Sequence, residues 1–268
     1  MFFKGVITIL VVLCLLYGCV LLAMAYYQER LIFFPEVLSP DHKFIFKSEF
    51  EEHLLDVKGE KVHSLLFKVH DSQGVVLFFH GNAGSLESWG QVGEELADKT
   101  QWDVWVVDFP GYGKSLGKIT SENQLIDLGK TLVSEAKKKY GPHAKIAIFG
   151  RSLGTGIAVK MASENEFAGL ILETPYLSLV SMARRLYSWV PSFALRYKLR
   201  SDLWIKLVKC PVLIIHGTRD EVIPYEQGKA LAEASGKANF LTIEGGTHGN
   251  LGSYPIYWKT VEEFFESF

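Results

Sequence analysis

The pattern of hydrophobic and polar positions changes character several times along the 268 residues. From Gly5 to Tyr27 there is no Asp, Glu, Lys or Arg. A helix of that length, rising about 1.5 Å per residue, is long enough to cross the roughly 30 Å hydrocarbon core of a bilayer. The run therefore predicts a single-pass transmembrane helix. "YQERLIFFPE" follows, an amphipathic neck whose Leu31, Ile32, Phe33 and Phe34 would sit at the membrane interface or tuck against the domain. From Phe50 the period shortens: residues 50–57 and 62–69 alternate as strands do, and Val75–Phe79 is a short continuous apolar run, as expected of a buried strand. Helix-like and strand-like stretches then take turns: helix 85–100, strand 103–108, helix 121–140, strand 145–149, helix 153–165, strand 169–173. Strict alternation of this kind predicts an α/β fold, a mostly parallel sheet with helices on both faces. The rhythm breaks between Thr174 and Lys209, then resumes with "PVLIIHG", a helix near 226–235, "NFLTIEG" and a final helix near 256–266. The expected organisation is an anchor at 1–30, a neck at 31–49, and one domain at 50–268 with a small helical cap at about 174–209.

Ligands of such sheets bind beyond the carboxyl ends of the strands, and the glycine-rich loops fall there. They are His80-Gly81-Asn82, Gly150-Arg-Ser152-Leu-Gly154, His216-Gly217-Thr-Arg-Asp220 and Gly245-Gly246-Thr-His248-Gly249-Asn250. The second loop has neither the lysine of a P-loop nor the spacing of a dinucleotide fingerprint. Two readings of Ser152 remain: a cap for the helix that follows, or the nucleophile of a G-x-S-x-G elbow. A serine hydroxyl needs a histidine to take its proton and a carboxylate to orient that histidine. The order Ser, acid, His is met by Ser152, Asp220 and His248. Glu221, Asp108 and Glu173 are rival acids, and Asp220 is preferred for its place in that order. The backbone N–H groups of Leu153 and Asn82 are the expected oxyanion donors. His80 and His216 are expected to hold loop backbones, and Asp108 to brace the turn made by Pro110, Gly111 and Gly113.

Composition narrows the picture further. A formal charge of -2 gives no global basic excess for nucleic acid. The cysteines, Cys14, Cys19 and Cys210, offer no disulfide framework and no metal-ligand spacing, so no cofactor or metal is expected. Leu16-Tyr17-Gly18-Cys19 raises a rival to the uncleaved anchor, lipoprotein-type processing at Cys19, although the apolar run continues beyond it. Lys4 lies before the span and Arg30, Lys43 and Lys47 after it, so charge leaves the topology open. Within the cap, Arg184, Arg185, Arg196, Lys198, Arg200, Lys206 and Lys209 face one acid, Asp202, and interleave with aromatics. Such a segment either lies on an anionic membrane or has Trp189, Phe193 and Trp204 packed beneath solvated charges.

Taken together, "HGNAG", "DFPGYGKS", "GRSLGTG", "ETPYLSL", "HGTRDEVIP" and "GGTHGN" resemble the α/β-hydrolase superfamily from about Phe50 to Phe268. More narrowly, the anchor and "QERLIFFPE" resemble the membrane-anchored, bud-emergence-related serine hydrolases, whose relatives include depalmitoylases. The resemblance implies Ser152, Asp220 and His248 as a catalytic triad. It also implies hydrolysis of an ester or thioester, with an acyl chain as part of the substrate. Where relatives often carry His-Asn-Asp, this chain has His248-Gly249-Asn250. A peptidase or amidase using the same triad, and a non-catalytic scaffold of the same fold, are the alternatives.

Overall fold

The computed structural model describes residues 2–268, so the first residue of the expected 1–30 anchor lies outside it. Its main sheet contains β1 (Phe50–Val57), β2 (Glu60–Phe67), β3 (Val75–Phe79), β4 (Asp103–Val107), β5 (Ile146–Arg151), β6 (Gly169–Glu173), β7 (Val212–Gly217) and β8 (Asn239–Ile243). They lie in the order β8-β7-β6-β5-β3-β4-β2-β1. β2 runs antiparallel to both its neighbours, β1 and β4, and the remaining pairs are parallel.

Period-2 alternation explains why these runs are apolar throughout. Along β3, Val75, Leu77 and Phe79 enter one core while Val76 and Phe78 enter the other. The first core is closed by helices Glu122–Tyr140, Gly154–Glu164 and Tyr225–Ser235, and the second by Leu86–Thr100 and Pro255–Glu266. A strand with helices on both sides has no polar face to alternate with. The chain leaves β3 for β4 on one side and returns to β5 on the other, so the strand order reverses between β3 and β5. A crevice at such a reversal is where this kind of sheet takes its ligand.

The N-terminal helix, Phe2–Tyr26, stands apart from both cores. Its most apolar stretch has a mean hydropathy of 2.9, and none of its residues is buried. One helix among the described residues is therefore long and apolar enough to cross a membrane. The stretch after it is packed. Phe33 and Phe44 are buried, Phe34–Pro35 forms a short parallel pair with Ala83–Gly84, and Phe46 meets the Phe67 ring edge-on at 5.0 Å. Residues 174–209 form a two-turn helix, Leu179–Leu186, and three shorter helical turns: Ser192–Ala194, Ser201–Trp204 and Ile205–Leu207. Ser178 and Ser181 cap the first reciprocally.

Candidate active site

Ser152 sits on the tight turn between β5 and helix Gly154–Glu164, with φ +50°. A non-glycine residue is strained in that region and stays there only where its surroundings hold it. Three bonds do so: its N–H donates to the Glu173 carbonyl at 3.0 Å, and its own carbonyl accepts from the Thr155 N–H at 3.0 Å and hydroxyl at 2.6 Å. Gly154 is forced by proximity, because a Cβ there would stand 2.0 Å from the Phe79 carbonyl oxygen at the end of β3. The flanking glycine thus lets the elbow press onto the neighbouring strand and lifts the serine hydroxyl over the crevice.

The other two loops converge on that hydroxyl. His248 Nε2 lies 3.2 Å from Ser152 Oγ, and His248 Nδ1 lies 2.8 Å from Asp220 Oδ2. The acid loop and the histidine loop are fastened to each other: Arg219 N–H donates to the Gly246 carbonyl at 2.8 Å, and a Cβ on Gly217 would stand 2.2 Å from that same oxygen. Asn250 Oδ1 accepts from Thr247 N–H at 2.7 Å, so the His-Gly-Asn sequence closes its own turn.

The Asp220 side chain is inaccessible to solvent. Burial by itself raises its carboxyl, but hydrogen bonds from His216, His248 and the Ile223 N–H outweigh that and hold it well below the usual carboxylate range. A charged carboxylate is consequently fixed against Nδ1. Nδ1 then carries the proton, leaving Nε2 to accept from the serine.

Asn82 lies at the end of β3, with Leu153 directly after the serine. A Cβ on Gly81 would stand 3.7 Å from Ser152 Cβ, which puts the two loops side by side. The neck holds the Asn82 loop: Phe34 N–H donates to the Asn82 carbonyl at 2.8 Å, and Asn82 Nδ2 donates to the Ile32 carbonyl at 2.9 Å. The Tyr112 hydroxyl also donates to the Asn82 carbonyl, at 2.8 Å. With its carbonyl and side-chain amide both engaged, the Asn82 backbone is fixed in place beside the Ser152 loop. A cavity of about 220 Å³ opens from Ser152, Leu153 and Asn82 and runs between the cap and the neck with a mainly apolar lining. Trp204 packs against the core, whereas Trp189 and Phe193 are exposed and do not lie beneath the cap.

A family model described as alpha/beta hydrolase fold matches residues 74–198, and one described as TAP-like protein matches 196–267. Alpha/beta hydrolase domain-containing protein 17C of Xenopus tropicalis is 33% identical over 199 residues, covering 72% of this chain and 62% of that protein. Human protein 17B is 29% identical over 214 residues, covering 77% and 72%. The chain spans about three fifths of the length of the 17C relatives it matches. Among solved structures, an esterase of Pyrococcus furiosus superposes with a TM-score of 0.70 at 22% identity, over 88% of this chain and 99% of that one. Est1E of Butyrivibrio proteoclasticus, solved with ferulic acid, gives 0.69 at 22% identity over 80% and 98%.

The chain belongs to the α/β-hydrolase superfamily. The structural likenesses speak to fold alone, and the narrower likeness to the bud-emergence-related group rests on the sequence motifs.

Within this fold the rival acids have other duties. Glu221 is exposed. Asp108 is buried at the end of β4, 3.4 Å from His80 Nε2, and its Oδ2 lies 2.1 Å from where a Gly113 Cβ would be, so it fills the turn it was expected to brace. Burial pushes its carboxyl up, against the pull of His80. Glu173 is held by the Tyr257 hydroxyl at 2.7 Å and by Arg151 Nε at 3.1 Å. His80 Nδ1 bonds the Gly81 carbonyl at 2.7 Å, and His216 Nε2 bonds the Ile223 carbonyl at 2.9 Å and approaches Asp220 Oδ2 at 3.2 Å. His216 thus holds loop backbone, as expected, and also supports the acid.

Sequence reasoning passed over Arg151, the variable residue of the elbow. Its guanidinium donates to the His248 carbonyl at 3.2 Å, lies 5.1 Å from the centre of the Trp89 ring, and pairs with the buried Glu173. It ties the Ser152 turn to the His248 loop. Nothing in the local pattern distinguishes it from any other residue tolerated at that position.

Proposed function

We propose that this chain is a membrane-anchored serine hydrolase that cleaves a carboxylic ester or thioester through an acyl-enzyme intermediate. Ser152 Oγ gives its proton to His248 Nε2 and attacks the substrate carbonyl carbon. Negative charge gathers on the carbonyl oxygen, where the N–H groups of Leu153 and Asn82 are the expected donors. As the carbonyl re-forms, the bond to the alcohol or thiol breaks and His248 returns the proton to the leaving group. Water then repeats the sequence on the acyl-enzyme, releasing a carboxylic acid and restoring Ser152. Asp220 keeps its charge throughout and stabilises the imidazolium that forms twice in each turnover.

The observation that carries this reading is the relay through the two ring nitrogens of His248, with Nε2 3.2 Å from Ser152 Oγ and Nδ1 2.8 Å from Asp220 Oδ2, at the mouth of an apolar cavity. The hydrophobic lining supports an acyl chain as the part of the substrate held. The exposed apolar helix Phe2–Tyr26 supports membrane anchorage. A fluorophosphonate, which captures activated serines, should label the full chain in detergent and leave Ser152→Ala unlabelled. The wild type should also turn over acetyl and longer-chain esters. Equal labelling of both proteins would remove the hydrolase reading.

A further inference from the structure

We infer that the domain-proximal end of the N-terminal helix is a wall of the acyl-chain site, so that the chain of a membrane-resident ester or thioester slides from the leaflet to Ser152 between this helix and the cap. The inference rests on the serine-hydrolase reading above and adds where the chain lies and how it enters.

Met24 and Ala25, in the last turn of helix Phe2–Tyr26, line the same cavity as Ser152 and Leu153. Met182, Leu186 and Val190 of the cap also line it. A tether connected through a loose linker would not be placed there. The junction is fixed by Gln28, whose Oε1 accepts from the Arg196 N–H at 2.7 Å and the Tyr197 N–H at 3.4 Å. Its Nε2 donates to the Ala194 carbonyl at 3.2 Å, and the residue is only 6% exposed. The neighbouring Glu29 carboxylate accepts from the Tyr197 hydroxyl at 2.7 Å and pairs with Arg196. A buried amide with its oxygen and nitrogen both engaged fixes one arrangement of the two segments.

A second contact sets the depth of the cap. The Tyr17 hydroxyl donates to the Trp189 carbonyl at 2.8 Å, and the two rings lie 6.3 Å apart. At about 1.5 Å per residue, Tyr17 is roughly 10 Å further along the helix than Met24, toward the membrane interior. The cap edge therefore runs alongside the span. That edge presents Leu186, Trp189 and Phe193, which are 65%, 48% and 82% exposed, with Arg184 and Arg185 exposed beside them. Apolar and aromatic tips next to arginines suit the acyl and headgroup boundary of a bilayer. With this edge in the leaflet, the cavity mouth beside Met24 opens onto lipid, and an acyl chain passes from one apolar phase to another on its way to the serine.

The test uses the full chain in lipid nanodiscs with p-nitrophenyl esters from acetyl to dodecanoyl. Ala25→Trp narrows the passage and should lower the dodecanoyl-to-acetyl ratio of kcat/KM at least tenfold. Met24→Ala widens it and should shift the preferred chain length upward. Unchanged ratios in both variants, with fluorophosphonate labelling of Ser152 retained, would overturn the inference and leave the hydrolase reading standing. Absent labelling and absent turnover of every ester in the wild type would instead sink that reading. Two carriers, an S-palmitoyl-cysteinyl peptide and monopalmitoylglycerol, are then presented in the same bilayer. Turnover of either supports the route and identifies which carrier brings the chain. Failure of both, with acetyl ester still hydrolysed, counts against it.

Discussion

The loop cluster above the sheet and the junction of helix, neck and cap meet at the same cavity, yet they are built on different principles. The cluster is specified by backbone: glycines where strands crowd, a serine held at positive φ, and loops pinned by their own carbonyls and amides. The junction is specified by side chains. Gln28, Glu29, Tyr17 and Tyr197 reach across a sequence separation of more than a hundred and sixty residues to fix the cap. The first arrangement recurs wherever the fold needs an exposed nucleophile. The second shapes the walls of the cavity beyond Ser152, and so is where substrate preference is expected to reside.

The largest effect separating the two regions should come from the acid. Asp220→Asn should lower kcat/KM by about four orders of magnitude, because an amide does not hold the histidine tautomer that accepts from serine. It should have little effect on the relative preference among acyl chains. The same variant has a pH signature. The folded-state carboxyl is depressed, so its stabilising contribution is complete above the unfolded value of about 3.9 and is lost as pH falls from there toward the lower folded value. The stability gap between wild type and Asp220→Asn, measured by denaturant titration, should therefore shrink as pH falls below about 4. A gap that widened would mean that the carboxyl is not held charged.

Arg151→Leu should come next. It leaves Glu173 buried without its cation, a change that costs about 3–5 kcal/mol of stability, and it frees the His248 loop at the same time. Arg151→Leu combined with Glu173→Leu should recover much of the stability but not the activity. Recovery of both would show that the pair serves packing alone. The smallest effect belongs to the junction: Gln28→Ala leaves the Arg196 and Tyr197 amides without their partner, at about 1–3 kcal/mol. Limited proteolysis should then cut within residues 187–196 first, with fluorophosphonate labelling of Ser152 preserved. Cleavage elsewhere, or loss of labelling, would erase the distinction between the regions.

Much of the cluster was legible in the sequence because its requirements are local. An apolar run followed by a glycine-rich loop marks a strand end, and the order of Ser152, Asp220 and His248 along the chain follows from the order of the strands. The alternation of strands and helices predicted the parallel sheet for the same reason, since period and burial are properties of neighbouring residues. Other features were not legible. Gln28 follows an uncharged run and looks like the first polar residue outside a membrane, and its buried role depends on cap residues far along the chain. Arg151 occupies a position that the elbow motif leaves free, and only the approach of β6 and the last loop gives it Glu173 and His248 as partners. The cap's basic and aromatic composition left two arrangements open. Exposure separates them: Trp204 packs inward, while Trp189 and Phe193 face out.

The central claim, that Ser152 becomes acylated, is tested most directly by trapping the intermediate. The full chain is mixed with an excess of a dodecanoyl ester, quenched in acid within the first turnovers, digested, and the peptide spanning Ile146 to Lys160 is weighed. The account predicts that this peptide gains the mass of one dodecanoyl group with fragmentation placing it on Ser152, and that Ser152→Ala gains nothing. Ester turnover by the wild type with no acylated peptide at any quench time, together with retained turnover by Ser152→Ala, would contradict it.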